Sequence, residues 1–222
     1  MLDTRFPRPL GDVGHPATFE PPTRRVVLEK AWPSEVVRSA DGLRASGLEP
    51  GFVAVVQLLE REGALAITTS CGFLVLLQDV LQAAVRVPVV TSSLLQLPHL
   101  LQRHGRVGVL TIGAEVLGRE HLLCAGVPEA ALADVVVQGV APDSEFVRCI
   151  LGNADRMDLA QAQADVVAAA QALKQREPAL AHVVLECTNM PPYQAAIEQA
   201  TGMRCWSLLD DARLLQPFGF GG

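Results

Sequence analysis

Two cysteines stand where chemistry is easiest to place. Cys71 follows the run Ala66-Ile67-Thr68-Thr69-Ser70 and precedes Gly72, while Cys187 follows His182-Val183-Val184-Leu185-Glu186 and precedes Thr188-Asn189. Each apolar run reads as a strand and each continuation as a helix, so each thiol falls at a helix start. There the positive end of the helix dipole and the free backbone N–H groups favour a thiolate and lower its pKa. Two such residues on opposite sides of one carbon form an acid/base pair: a thiolate takes a proton from one face and a thiol returns one to the other. The outcome is inversion at that carbon without a cofactor or metal.

A carbon acid is far weaker than a thiol, whose reference pKa is about 8.5, so the developing enediolate needs donors as well. Ser70, the backbone N–H groups of Gly72 and Phe73, Thr188 and Asn189 flank the two thiols, and Thr91 and Thr111 close two further strands. At helix starts and strand ends these form a neutral anion-binding set. The competing reading of each cysteine is a small buried hydrophobe, the common fate of a free thiol; the matched contexts of Cys71 and Cys187 favour function. Cys124, Cys149 and Cys205 lack flanking donors and read as core. Glu186 either tunes Cys187 or faces away from it, because neighbours on a strand alternate faces.

The elements that must position these residues alternate along the chain. Strands are expected at Arg25–Glu29, Leu65–Thr69, Pro88–Val90, Val107–Thr111, Asp134–Val137 and His182–Glu186. Helices are expected from Pro50 to Gly63, Gly72 to Val85, Leu94 to His104, Ala114 to Cys124, Asp158 to Gln175 and Pro191 to Ala200. Residues 3 to 23, rich in Pro, Gly and charge, form a long irregular loop of the kind used as a lid or binding segment. The chain ends in the Gly-rich stretch Phe218-Gly219-Phe220-Gly221-Gly222. Strand–helix alternation points to parallel sheets with helices on their faces, where ligands bind beyond the carboxyl ends of strands.

Composition narrows the class. With 222 residues, half of them hydrophobic, the chain can bury one large α/β core or two lobes of about 100 residues each. A net charge of −6 with dispersed Lys and Arg argues against a nucleic-acid surface. No apolar run reaches the roughly 20 residues of a membrane span, and the start lacks a signal-peptide pattern, so a cytoplasmic protein with reduced thiols is expected. The histidines have no metal-ligand spacing, and Gly108 to Gly113 lacks the spacing of a dinucleotide loop.

The elements MLDTRFPR with GDVGHPATF, then ITTSCGFL, PVVTSSLLQ and LECTNMPPY, together resemble the aspartate/glutamate racemase family, whose wider superfamily includes hydantoin racemases, arylmalonate decarboxylases and maleate isomerases. The resemblance implies two pseudo-symmetric α/β lobes, each a mostly parallel sheet flanked by helices, with the active site in the cleft between them. Residues 1–95 with 205–222 would make the first lobe and 96–204 the second. It implies cofactor-independent isomerase chemistry on a small carboxylate, with Cys71 and Cys187 as the acid/base pair and Asp3 contacting substrate at the end of the first strand, of which only Met1 and Leu2 precede it. Three alternatives stay open: a decarboxylase, a cis-trans isomerase, or a binding module without turnover. The sequence departs from the family where Gly72-Phe73 replaces the common Asn-Thr after the first cysteine. Arg5 and Arg8 stand where a small-residue turn is usual, and either engages a second carboxylate or closes the cleft. Homo-oligomers occur among relatives, but no feature fixes one here.

Overall fold

A computed structural model describes residues 1–219, so Phe220 to Gly222 of the expected Gly-rich tail lie outside the described residues. Among the described residues six strands build two parallel sheets. β1 (Ile67–Thr68) pairs with β2 (Val89–Val90), and a four-stranded sheet runs in the order β4 (Val135–Gly139), β3 (Val107–Thr111), β5 (His182–Leu185), β6 (Arg204–Trp206). Every residue of β3 is buried, as its largely apolar sequence suits a strand covered on both faces.

The helix over Leu159–Arg176 shows how the second sheet is closed. Asp158 caps it, its carboxylate accepting from the backbone N–H groups of Ala160 and Gln161 at 3.0 and 3.1 Å, as Asp does at an N-cap. Its buried face is Ala162, Val166, Ala169, Ala170 and Leu173, an i, i+4, i+7, i+8 stripe. Small residues let the helix lie close: a Cβ on Gly108 of β3 would come within 2.8 Å of the Leu173 side chain.

The first lobe is the lesser one, with two strands against four. The extended stretch at Arg25–Glu29 joins no sheet. Its backbone partner is Met1, which donates to the Val26 carbonyl at 2.6 Å and accepts from Leu28 N–H at 3.0 Å. Between this stretch and β1 lies a cavity of about 650 Å³ lined by Phe52, Val56, Leu59, Leu65 and Leu214 among others. The ladder that would make Arg25–Glu29 a strand therefore has no neighbour on that side. Pro33–Val36, Ala40–Ala45 and Glu145–Leu151 are helices with no counterpart among the expected elements, and the expected helix at Ala114 is confined to Arg119–Cys124. β6 pairs with β5, and beyond it Leu208 and Leu214 pack with Val13 and Val90 of β2. No helix among the described residues is long and apolar enough to cross a membrane.

Candidate active site

Each cysteine is delivered by the end of a parallel strand. After β1 the chain turns through Thr69, whose hydroxyl accepts from Cys71 N–H at 3.3 Å and donates to the Thr91 carbonyl at 2.8 Å. Cys71 is extended, with φ −157° and ψ 117°, and a six-residue 3-10 helix, Gly72–Leu77, begins after it. On the other lobe Glu186 N–H extends the β5 ladder to the Leu110 carbonyl at 2.9 Å, and Met190 N–H closes a turn on the Cys187 carbonyl at 3.0 Å.

Two hydrogen bonds sew the lobes together at this level. Thr188 Oγ1 donates to the Ser70 carbonyl at 2.8 Å, and Ser93 Oγ donates to the Leu185 carbonyl at 2.7 Å. The two cysteines consequently line one cavity, together with Ser70, Gly72, Phe73, Glu186, Thr188 and Asn189. Its volume, about 20 Å³, holds little more than one water. The cleft is narrow.

The remaining expected residues lie outside that lining. Thr111 stands behind it, its hydroxyl donating to Glu186 Oε2 at 2.8 Å. Thr91, fully buried, gives its hydroxyl to Gln78 Oε1 at 2.7 Å. Asp3 caps the Lys30 N–H at 3.1 Å, and Arg5 is exposed, with its backbone N–H on Asn153 Oδ1 at 2.7 Å. The charged pair near the site is instead Arg8 and Asp12. Arg8 Nη1 meets Asp12 Oδ1 at 2.7 Å, the guanidinium lies 4.6 Å from the Phe6 ring centroid, and Asp12 Oδ2 accepts from Asn189 Nδ2 at 2.6 Å. An Asp between glycines, as in Gly11-Asp12-Val13-Gly14, reads as an ordinary turn, so Asp12 carried no signal in the sequence.

Electrostatics reverse one expectation. Burial pushes the Cys71 thiol up to about 12, with the Glu186 carboxyl as the second cause; the Phe73 N–H, Arg8 and the Leu74 N–H oppose. Burial, then Glu186, raise Cys187 well above the usual thiol range against the Asn189 N–H. The thiols were expected to be acidified by helix starts. Short 3-10 turns follow them instead, and a narrow apolar cavity outweighs the few N–H groups those turns offer. Burial also lifts Glu186 to about 8, with the Thr111 hydrogen bond opposing.

Two lobes of parallel sheet thus place the paired thiols beyond the carboxyl ends of their strands, where open α/β sheets bind ligands. A sequence profile described as Asp/Glu/Hydantoin racemase matches residues 16–211, and the chain belongs to that family. It is similar to dimethylsulfoniopropionate lyase 7 of Emiliania huxleyi, 28% identical over an alignment of 212 residues that covers 90% of this chain and 60% of the relative. It is also similar to a dimethylsulfoniopropionate lyase of Durusdinium sp. clade D, 27% identical over 95% of this chain and 70% of the relative. The chain thus spans 60 to 70% of the length of these two relatives. Among solved structures, glutamate racemase isoform RacE1 from Bacillus anthracis superposes with a TM-score of 0.50 at 18% identity, covering 80% of this chain and 64% of that one.

Proposed function

We propose that the protein is a cofactor-independent enzyme that removes the proton from the carbon next to a carboxylate of a small acid, with Cys71 and Cys187 as its acid/base groups. The observation that carries this reading is that both thiols line one cavity between the strand ends of the two lobes, beside Ser70, Thr188 and Asn189. Cys71 is the better base. Glu186 disfavours both thiolates, but Arg8 and the N–H groups of Phe73 and Leu74 favour that of Cys71, whereas Cys187 has only the Asn189 N–H in its favour and Asp12 against it. A cavity of about 20 Å³ admits no carboxylic acid, so the lobes must part for substrate, and the parting exposes the thiols to the water that lets Cys71 ionise.

The thiolate takes the α-proton, and the electron pair left on carbon has two fates. It can expel a substituent from the β-carbon and form a double bond, or it can be held by the carboxylate until Cys187 returns a proton from the other face. Elimination is placed first, because the similar proteins over nine-tenths of the chain are named as lyases of a β-sulfonio propionate. Phe73 on the cavity wall offers an aromatic ring and no side-chain acceptor for an α-ammonium group. Racemisation is the second reading, favoured by the pairing of the thiols.

Incubation with dimethylsulfoniopropionate, and separately with aspartate, glutamate, hydantoins and substituted malonates in D2O, distinguishes the two. Release of dimethyl sulfide marks elimination; α-deuterium with loss of optical purity marks inversion. Saturable binding with neither would make the protein a binding module and overturn the proposal.

A further inference from the structure

Glu186 has no role in the proton transfer described above, yet it is buried to 1% exposure on the wall of the same cavity. Its two oxygens are unequal. Oε2 accepts from the Thr111 hydroxyl at 2.8 Å, and Oε1 is buried with no partner at all. Among the described residues no cation offsets its burial, and Arg8, which favours the Cys71 thiolate, is held by Asp12 at 2.7 Å. The titratable groups facing Glu186 are the thiols of Cys71 and Cys187, both of which are disfavoured as anions by it.

The carboxyl also occupies a particular place. A Cβ on Gly72 would fall 2.3 Å from Glu186 Oε1 and 2.3 Å from the Glu186 carbonyl oxygen. Glycine beside the first catalytic cysteine is therefore what lets the second lobe's carboxyl reach across to the first. The group stands against the turns of both thiols.

We propose that Glu186 works as an uncharged acid whose Oε1 hydroxyl donates a hydrogen bond to the carboxylate of the bound substrate, and so decides whether the cavity accepts an anion. The inference rests on the function proposed above for its substrate class. An unpaired carboxylate in a dry site is costly, and the group keeps its proton instead. With the Thr111 hydroxyl donating to Oε2, the proton belongs on Oε1, where nothing in the protein accepts it. A buried donor without an acceptor on a cavity wall is complete only when a ligand supplies one, and a neutral carboxylic acid in an apolar site is an effective donor to oxygen anions. Once ionised, the same group would repel both the substrate anion and the Cys71 thiolate. Burial holding the carboxyl near 8 puts that change within reach of experiment.

Glu186→Gln is the informative variant, since its amide oxygen can take the Thr111 hydrogen bond while its NH2 donates where Oε1–H did. The whole chain, wild type and variants, is titrated with propionate between pH 6 and 9.5, and the Glu186 side-chain carboxyl is followed by 13C NMR, its resonance assigned by its loss in Glu186→Gln. The wild-type resonance should titrate near 8, with propionate affinity falling about tenfold per pH unit above that point. Glu186→Gln should bind propionate at pH 9 as it does at pH 6, and Glu186→Ala should bind at least tenfold more weakly than wild type at pH 6. A resonance titrating in the ordinary glutamate range, an alkaline loss of affinity unchanged in Glu186→Gln, or no propionate binding by wild type at pH 6 overturns the proposal. Neither readout depends on turnover. A protein that converts no substrate would sink the function while leaving this test readable, and a cysteine-dependent enzyme with an ordinary Glu186 would sink only this inference.

Discussion

The side-chain amide of Asn189 donates to the Asp12 carboxylate across 2.6 Å, joining residues 177 positions apart. Through that bond the irregular N-terminal loop is fastened to the turn that carries Cys187. Asp12 is 1% exposed and also takes Arg8 Nη1 and the Gly14 N–H, each at 2.7 Å.

Asp12→Ala leaves the largely buried Arg8 guanidinium and the Asn189 amide without their acceptor. The expected destabilisation is about 3–5 kcal/mol, the cost of a buried charge stripped of its partner. Asn189→Ala removes one donor and should cost less, about 1–3 kcal/mol. Urea unfolding midpoints measure both, and an Asp12→Ala variant as stable as wild type would mean that the loop is not clamped by this residue.

Gly72→Ala should be a damaging change for its size. The new methyl group would meet both the side chain and the backbone of Glu186, and overpacking of this kind costs about 1–3 kcal/mol. Because the Glu186 carbonyl stays in place, the double variant Gly72→Ala/Glu186→Ala should not recover the loss. Full recovery in a thermal melt would show that only the carboxyl stood in the way.

Alkylation ranks the thiols. Cys71 and Cys187 are buried with raised pKa values, while Cys124 is only partly covered and its thiol is raised mainly by that partial burial. Iodoacetamide at pH 7 should therefore modify Cys124 first, read peptide by peptide in a mass spectrometer, because the thiolate is the reactive form. Faster labelling of Cys71 or Cys187 would mean that the cavity is open and wet.

Glu186 also shapes stability against pH. Its folded pKa, near 8, lies above the ordinary glutamate value of 4.5. Between these values the folded state holds a proton that the unfolded chain has lost. The contribution of this group is then fully present below about 4.5 and fades as pH rises to about 8. Glu186→Gln has no such loss, so its unfolding free energy relative to wild type should rise from pH 5 to pH 9, by about a few kcal/mol at most. A difference that stays flat over this range would show Glu186 ionised in the native state throughout.

The strand ends and their thiols were legible because parallel strands buried on both faces leave short apolar runs, as in Val107–Leu110 and Val183–Leu185, and because a polar residue must follow where such a run meets the cleft. The long helix after Asp158 was equally plain from its cap and its alanine-rich stripe. Arg25–Glu29 has strand composition without a strand, since a strand is made by its neighbour and the sequence does not say which neighbour is near. Pro33–Val36 and Glu145–Leu151 are too short for a period to stand out. Within the site, the sequence located the thiols but misjudged their acidity, which burial sets. It offered Asp3, Arg5 and Arg8, of which the folded loop brings Arg8 near the site, beside the unsignalled Asp12, and it left Glu186 undecided between facing Cys187 and facing away. That choice is made by Gly72, 114 residues earlier, whose missing side chain leaves the carboxyl its space.

The account depends above all on two thiols exchanging protons with one carbon, and isotope exchange reads that event directly. Wild type, Cys71→Ala, Cys187→Ala and the double variant would be incubated in D2O with the substrate found active, and deuterium uptake or β-elimination at the α-carbon followed with time. Removal of Cys71 should slow proton abstraction by about 10²–10⁴-fold, the usual worth of a positioned base. Loss of Cys187 should abolish inversion while sparing part of any elimination. Proton abstraction at the wild-type rate in the double variant would contradict the account.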